Sequence, residues 1–166
     1  MLTFPLPESA RAGLGDAAPP TLHALGNPDL LQIPLLGLLC SRQCPGGVIL
    51  ETLDRVPEWV KTGCVIVSGF HAPLEQQVLC SLLRRAGRAV KVLARTLDGY
   101  RPSPQEREAL AGGRLLLLSS FPPTVRRTTR EAAITRNRLV AALCQDLYVP
   151  YCRESGPLAD LVGGKP

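Results

Sequence analysis

Residues 126–138, Arg-Arg-Thr-Thr-Arg-Glu-Ala-Ala-Ile-Thr-Arg-Asn-Arg, set five arginines against one glutamate, a local excess of four positive charges. Such a density asks for an anion, and guanidinium groups suit phosphate because they bond it with two parallel donors. Thr128 or Thr129 stands where a helix N-cap is wanted, and Leu139, Val140, Ala142 and Leu143 continue as an apolar helical face. A helix docked by that face on a sheet holds the arginines near free N–H groups and the positive dipole end, a second attraction for negative charge. A solvated basic helix start with no ligand is the competing reading, and these residues alone leave it open.

A second candidate is His71, in a turn between Gly69 and Pro73 with Glu75 four residues on. A histidine beside a carboxylate can bond a ribose or a base, or carry out acid–base chemistry. Glu75 can equally support a helix start while His71 packs on Phe70. Arg95 offers a further phosphate ligand or a surface ion pair, and Glu154 could receive a ribose hydroxyl. There is no Walker A loop, GxGxxG fingerprint, metal cluster or nucleophile elbow, so neither cofactor nor metal is expected.

These side chains need a scaffold, and a chain of 166 residues, 45% hydrophobic, is enough for one domain with a sizeable core. A net charge of +5 favours polyanionic partners without identifying one. Aromatic residues make up 4%, which argues against stacking many successive bases and leaves backbone phosphates as the handle. The six cysteines include no CxxC pair and read as buried reduced thiols. The N-terminus lacks a signal-peptide pattern, and the apolar run at 30–40, broken by Pro34 and Gly37, is too short to span a bilayer. A cytoplasmic protein with no membrane contact is expected.

Residues 1–28, rich in proline, glycine and alanine, read as an irregular lead-in, followed by one domain over 29–166. Short apolar runs predict strands at 35–40, 64–68, 89–94, 114–118 and 146–151. Between them helices are predicted at 48–61, around 74–83, at 104–111 and from the arginine segment through Leu143, with a short helix at 28–32 and a closing one at 156–162. Alternating strands and helices imply a Rossmann-like, doubly wound α/β fold: a mainly parallel sheet of about five or six strands with helices on both faces. Ligands in such folds sit beyond the carboxyl ends of the strands, near the point where strand order reverses. That rule gathers Ser41, Arg42, Ser68, Gly69, His71, Arg95, Ser119, Ser120, Glu154, Ser155 and Gly156 along one rim.

Seven short tags occur along the chain: Leu25-Gly26-Asn27-Pro28, Ser41-Arg42, Ile66-Val67-Ser68-Gly69, Leu97-Asp98-Gly99-Tyr100, Leu116 to Ser119, Arg136-Asn137-Arg138 and Ser155-Gly156. In this order, over about 25–162, the chain resembles a divergent member of the DprA/Smf DNA-processing proteins, which share a Rossmann-like domain with the cytokinin-activating phosphoribohydrolases. The resemblance implies a single-stranded DNA or nucleotide-phosphate binding protein with a role in DNA processing or uptake, a recombinase partner, and room for a homodimer. It also implies a phosphate-binding set of Arg42, Ser68, Gly69, Arg136 and Arg138, to which Asn137 is joined by its place in the tag. The chain departs from the family pattern at Cys40, where glycine is usual, and in the loop Ser68-Gly-Phe-His-Ala-Pro-Leu-Glu75. Pro45-Gly46-Gly47 is similar to part of the phosphoribohydrolase loop but lacks its Gly-Thr and follows the wrong strand. The alternative function is a small-nucleotide sensor or a phosphoribohydrolase-like enzyme in the same pocket, cleaving an N-glycosidic bond with His71 and Glu75.

Overall fold

A computed structural model describes residues 1–163; the last three residues of the expected domain, 164–166, lie outside the described residues. Five parallel strands form the centre: β3 (Leu35–Leu38), β4 (Val65–Ser68), β5 (Arg88–Val92), β6 (Leu115–Ser119) and β7 (Asp146–Tyr148). Two more, β1 (Leu2–Pro5) and β2 (Thr21–Gly26), add antiparallel on the β6 side, giving the order β1-β2-β6-β5-β4-β3-β7. The described residues form six α-helices, α1 (Glu8–Leu14), α2 (Gly46–Lys61), α3 (Pro73–Arg84), α4 (Pro104–Ala111), α5 (Arg130–Leu143) and α6 (Pro157–Gly163).

The central strands are apolar throughout because both faces of the sheet are covered. Leu116 and Leu118 of β6 join Val65 and Val67 of β4 in one core, beneath Leu139, Val140 and Leu143 of α5 and Ala10 of α1. Leu115, Leu117 and Ile66 point the other way, into a second core with Val56 of α2, Leu74, Val78 and Leu82 of α3, and Ala109 of α4. The period of two along the strands thus divides one sheet between two helix layers, as a doubly wound fold requires.

The first 28 residues are not an irregular lead-in. Their β1 and β2 strands bring the sheet to seven rather than five or six, with α1 between them packed against α5. Leu22 and Ala24 of β2 are fully buried, alternating with exposed Thr21 and half-buried His23. This alternation is too short to stand out among prolines and glycines, but it covers an edge of β6 that would otherwise leave its ladder unpaired. Gly26 ends β2 at φ +115°, where a Cβ would overlap the carbonyl of Leu115; only glycine allows so close an approach to β6. All six cysteines are free, but burial is complete only at Cys40, and Cys80 is exposed. Burial, with Cys44 beside it, pushes the Cys40 thiol up to about 12, so it stays protonated.

Candidate functional site

A cavity of about 390 Å³ opens beyond the carboxyl ends of β4 and β5. Its walls come from the loop at Gly69, Phe70 and His71, from α3 and α4, from Lys91 and Arg95, and from Thr128 and Arg136. The strand order reverses between β3 and β7, so the cavity lies one strand away from the expected switch point, under the gap between α3 and α4.

Arg136 is the cation nearest the heart of this site. Thr129 caps α5, its Oγ1 accepting the N–H of Ala132 at 3.1 Å. The helical period from there puts Arg136 on the same inward face as Ala132, Leu139, Val140 and Leu143, and leaves it 5% exposed. Its Nε donates to Asn137 Oδ1 at 2.8 Å. The two terminal nitrogens have no hydrogen-bond partner among the described residues, yet Arg136 lines the cavity. Gly69 makes room for it: a Cβ at that position would overlap the guanidinium. Burial pulls the guanidinium's pKa down and Glu75 opposes that pull, but an arginine keeps its charge at any ordinary pH. A buried cation with its donor fork unfilled can hold a phosphate oxygen pair.

Glu75 is buried beneath the same loop. Its Oε2 accepts the N–H of Cys40 at 2.9 Å, while Oε1 accepts those of His71 at 3.1 Å and Ala72 at 3.3 Å. One carboxylate therefore joins the end of β3 to the turn after β4, the two segments that carry Arg42 and Gly69. Desolvation raises its pKa, while the N–H donors of Cys40 and His71, Arg136 and the N–H of Ala72 each hold it down. The candidate His71 and Glu75 pair is not joined through its side chains: His71 meets Glu75 through its backbone N–H and not its ring. Partial burial, and then Arg136, Arg42 and Lys91, lower the pKa of His71, which favours a neutral imidazole at the cavity mouth.

Elsewhere in the lining, Lys91 Nζ donates to Glu106 Oε1 at 2.7 Å and to the Tyr100 hydroxyl at 2.9 Å. Tyr100 also bonds Glu106, and the N–H of Ser103 caps Glu106 Oε2 at 2.8 Å. Among the described residues this is the one ion pair. Burial raises the Glu106 pKa, but Lys91, Ser103 and Tyr100 outweigh it and hold the carboxyl below its usual value. Around Lys91 burial works downward, and Glu106 and Tyr100 overcome it, so the ammonium is held above its usual value.

Of the predicted residues, the cavity gathers Gly69, His71, Arg95 and Arg136, with Asn137 steadying the last. Arg95 is partly committed, donating to the carbonyls of Thr96 and Asp98 at 3.3 and 3.2 Å. Ser68 and Ser119 are buried behind the wall; each accepts the N–H two residues ahead and shapes the exit of its strand. Arg42 is exposed outside the lining, near enough for its charge to act on His71. Arg138, half a helical turn from Arg136, is exposed and points elsewhere. Ser155 and Gly156 stand outside the cavity, in the segment that follows the bond from the N–H of Arg153 to Ser41 Oγ. Lys91, Glu106 and Gln76 were not singled out, although a lysine within a central apolar strand is a visible signal.

A doubly wound, mostly parallel sheet with helices on both faces defines a Rossmann-like α/β protein. The profile of the family described as DNA recombination-mediator protein A matches residues 6–160, and the chain belongs to that family. It is 28% identical over 143 residues to DNA processing protein DprA of Streptococcus pneumoniae, covering 85% of this chain and 50% of that protein. It is 32% identical over 137 residues to protein Smf of Synechocystis sp., covering 79% of this chain and 34% of that one. The chain thus spans half or less of the length of these curated relatives. The X-ray structure of the Streptococcus pneumoniae protein superposes with a TM-score of 0.71 at 26% identity, covering 89% of this chain and 53% of the other. A structure of DNA processing protein A from Helicobacter pylori, described for its single-stranded DNA binding mode, has a TM-score of 0.76 at 23% identity, with 97% and 75% covered. Among the described residues, no helix is long and apolar enough to cross a membrane.

Proposed function

We propose that this chain binds single-stranded DNA by its phosphates at the Arg136 cavity, as one domain built on one sheet, in DNA processing. The observation that carries the reading is the buried Arg136 guanidinium, with both terminal nitrogens unpartnered and open to the cavity. Family membership supports it, as does the binding ascribed to the Helicobacter pylori relative. Gly69, Arg95 and His71 complete the phosphate-binding set, Arg42 guards the entrance, and Asn137 orients Arg136. A recombinase partner and a homodimer belong to the same proposal through the family alone.

Fluorescence anisotropy with a labelled oligo-dT strand across a salt series tests it. Affinity is expected to fall steeply with salt, because each neutralised phosphate releases counterions. Arg136→Ala is expected to weaken binding about 10- to 100-fold, the loss of charge-assisted hydrogen bonds worth roughly 1.5–3 kcal/mol. Arg138→Ala, on the outer face, changes it by no more than about threefold, the order of one exposed charge. Salt-insensitive binding, or equal losses for the two variants, counts against the site. Stabilisation by a mononucleotide with no strand binding transfers the cavity to the small-nucleotide reading.

A further inference from the structure

The cavity does not stop at the rim. Its lining continues along α3 through Gln76, Leu79, Cys80 and Leu83, with Gln105 of α4 facing Cys80, whose Sγ donates to Gln105 Oε1 at 3.5 Å. The exposed stripe of α3 reads Gln76, Gln77, Cys80, Arg84: neutral polar residues leading to a cation. Between Gln76 and Leu97 the chain carries Arg84, Arg85, Arg88, Lys91 and Arg95 and no acidic residue at all.

Arg84 and Arg85 have no evident structural task. Basic residues often end helices because they meet the last carbonyls. Here those carbonyls are already taken: the N–H of Arg85 bonds Ser81 and Leu82, that of Ala86 bonds Leu83, and that of Gly87 bonds Leu82. The two arginine side chains are exposed and make neither hydrogen bond nor ion pair among the described residues. Beside them Arg88 is tethered to the carbonyl of Gly63, and Arg114 to that of Gly87 at 3.4 Å, so their charges stay at the same pole of the sheet. Of the acids on the facing helix α4, Glu106 is neutralised by Lys91, and Glu108 is exposed.

We infer that the α3–α4 groove is a second stretch of the strand-binding surface, leading phosphates from Arg136 down α3 to Arg84 and Arg85. The inference rests on the strand-binding reading above. Eight residues of helix separate Gln76 from Arg84, about 12 Å at ~1.5 Å each. That length matches roughly three or four phosphates at a stacked spacing of ~3.4 Å. A groove with neutral walls and cations at its two ends holds a strand in place without reading its bases.

The test compares the unaltered chain with Arg84→Glu/Arg85→Glu, using labelled dT3 and dT20 at several salt concentrations, with thermal unfolding of both chains as a check on folding. The variant is expected to keep its unfolding midpoint and its dT3 affinity within about twofold, since the cavity is untouched. Its dT20 affinity should drop about tenfold or more, and the salt dependence should become shallower by about 1.4, from two lost contacts at ~0.7 each. Arg84→Gln/Arg85→Gln, which removes charge without reversing it, should lie between. Unchanged dT20 binding overturns the inference and assigns the basic pole to another partner, such as an acidic protein. Equal losses on dT3 and dT20 overturn it too, because they report damage to the cavity. Failure of the unaltered chain to bind either strand defeats the strand-binding reading itself.

Discussion

Two cations in the same cavity wall, one buried and one part-buried, are treated in opposite ways. Lys91 spends its ammonium on Glu106 and Tyr100, and the carboxylate is closed off further by Ser103. Arg136, 5% exposed against 16% for the Lys91 side chain, has a single hydrogen bond at Nε and keeps its fork open. Glu75 lies near enough to lend it countercharge, yet gives its own oxygens to backbone N–H groups. Burying a charge is costly in either case. The partnered charge fixes the shape of the wall, and the unpartnered one leaves donors that the proposed strand phosphate would fill.

The largest effect expected from upsetting this contrast is at Glu75. Glu75→Ala leaves three N–H donors without an acceptor at about 1–3 kcal/mol each, and with water entering, the net loss is roughly 3–5 kcal/mol. Urea unfolding should register it, and strand affinity should fall as well because the β3 and β4 loops lose their tie. Stability lost with affinity intact would mean that the loops are positioned by something else. Next comes the closed pair. Glu106→Leu strands a part-buried ammonium and should cost about 2–4 kcal/mol, whereas Lys91→Met/Glu106→Leu should recover most of that. A double variant no more stable than the single one would show that the charge itself, rather than its pairing, holds the wall.

The smallest effect is in the acid limb of stability, where the two glutamates have opposite signs. Glu106 has a folded pKa below its unfolded value of 4.5, so its contribution is present above 4.5 and is lost as pH falls through the folded value. Glu75 has a folded pKa above 4.5, so it favours the folded state most below 4.5, and that contribution is lost as pH rises through the folded value. Between pH 7 and 4, Glu106→Gln should therefore flatten the loss of stability on acidification, and Glu75→Gln should steepen it. Denaturant midpoints across that range that move the same way in both variants would overturn the distinction.

The sequence revealed the parallel strands, because runs such as Leu115 to Leu118 admit little else, and the capped helix at Thr129. Arg136 was legible by its period as well as its charge, since it shares a helical face with Leu139, Val140 and Leu143. Its partner in the tag, Arg138, carries the same charge on the opposite side, and motif proximity conceals that difference. The role of Glu75 was hidden because its first contact, Cys40, lies 35 residues away and is made to a backbone N–H. The Lys91 to Glu106 pairing was hidden for the same reason: long-range partners leave no periodic mark. The N-terminal strands were missed because a four-residue edge strand and a six-residue neighbour, set among prolines, carry too few alternations.

The place of those N-terminal strands also bears on how the chain is made. His23 in β2 pairs with Ser119 in β6, a separation of 96 residues. Synthesis at about 5–20 residues per second puts on the order of 5–20 s between the appearance of the two strands. Through that interval β2 has β1 as its only sheet neighbour, and the edge that will meet β6 stays open on a growing chain. The pairing of β3 with β7 comes later still, Leu36 against Asp146, and such long-range pairings slow folding and lengthen exposure to wrong partners.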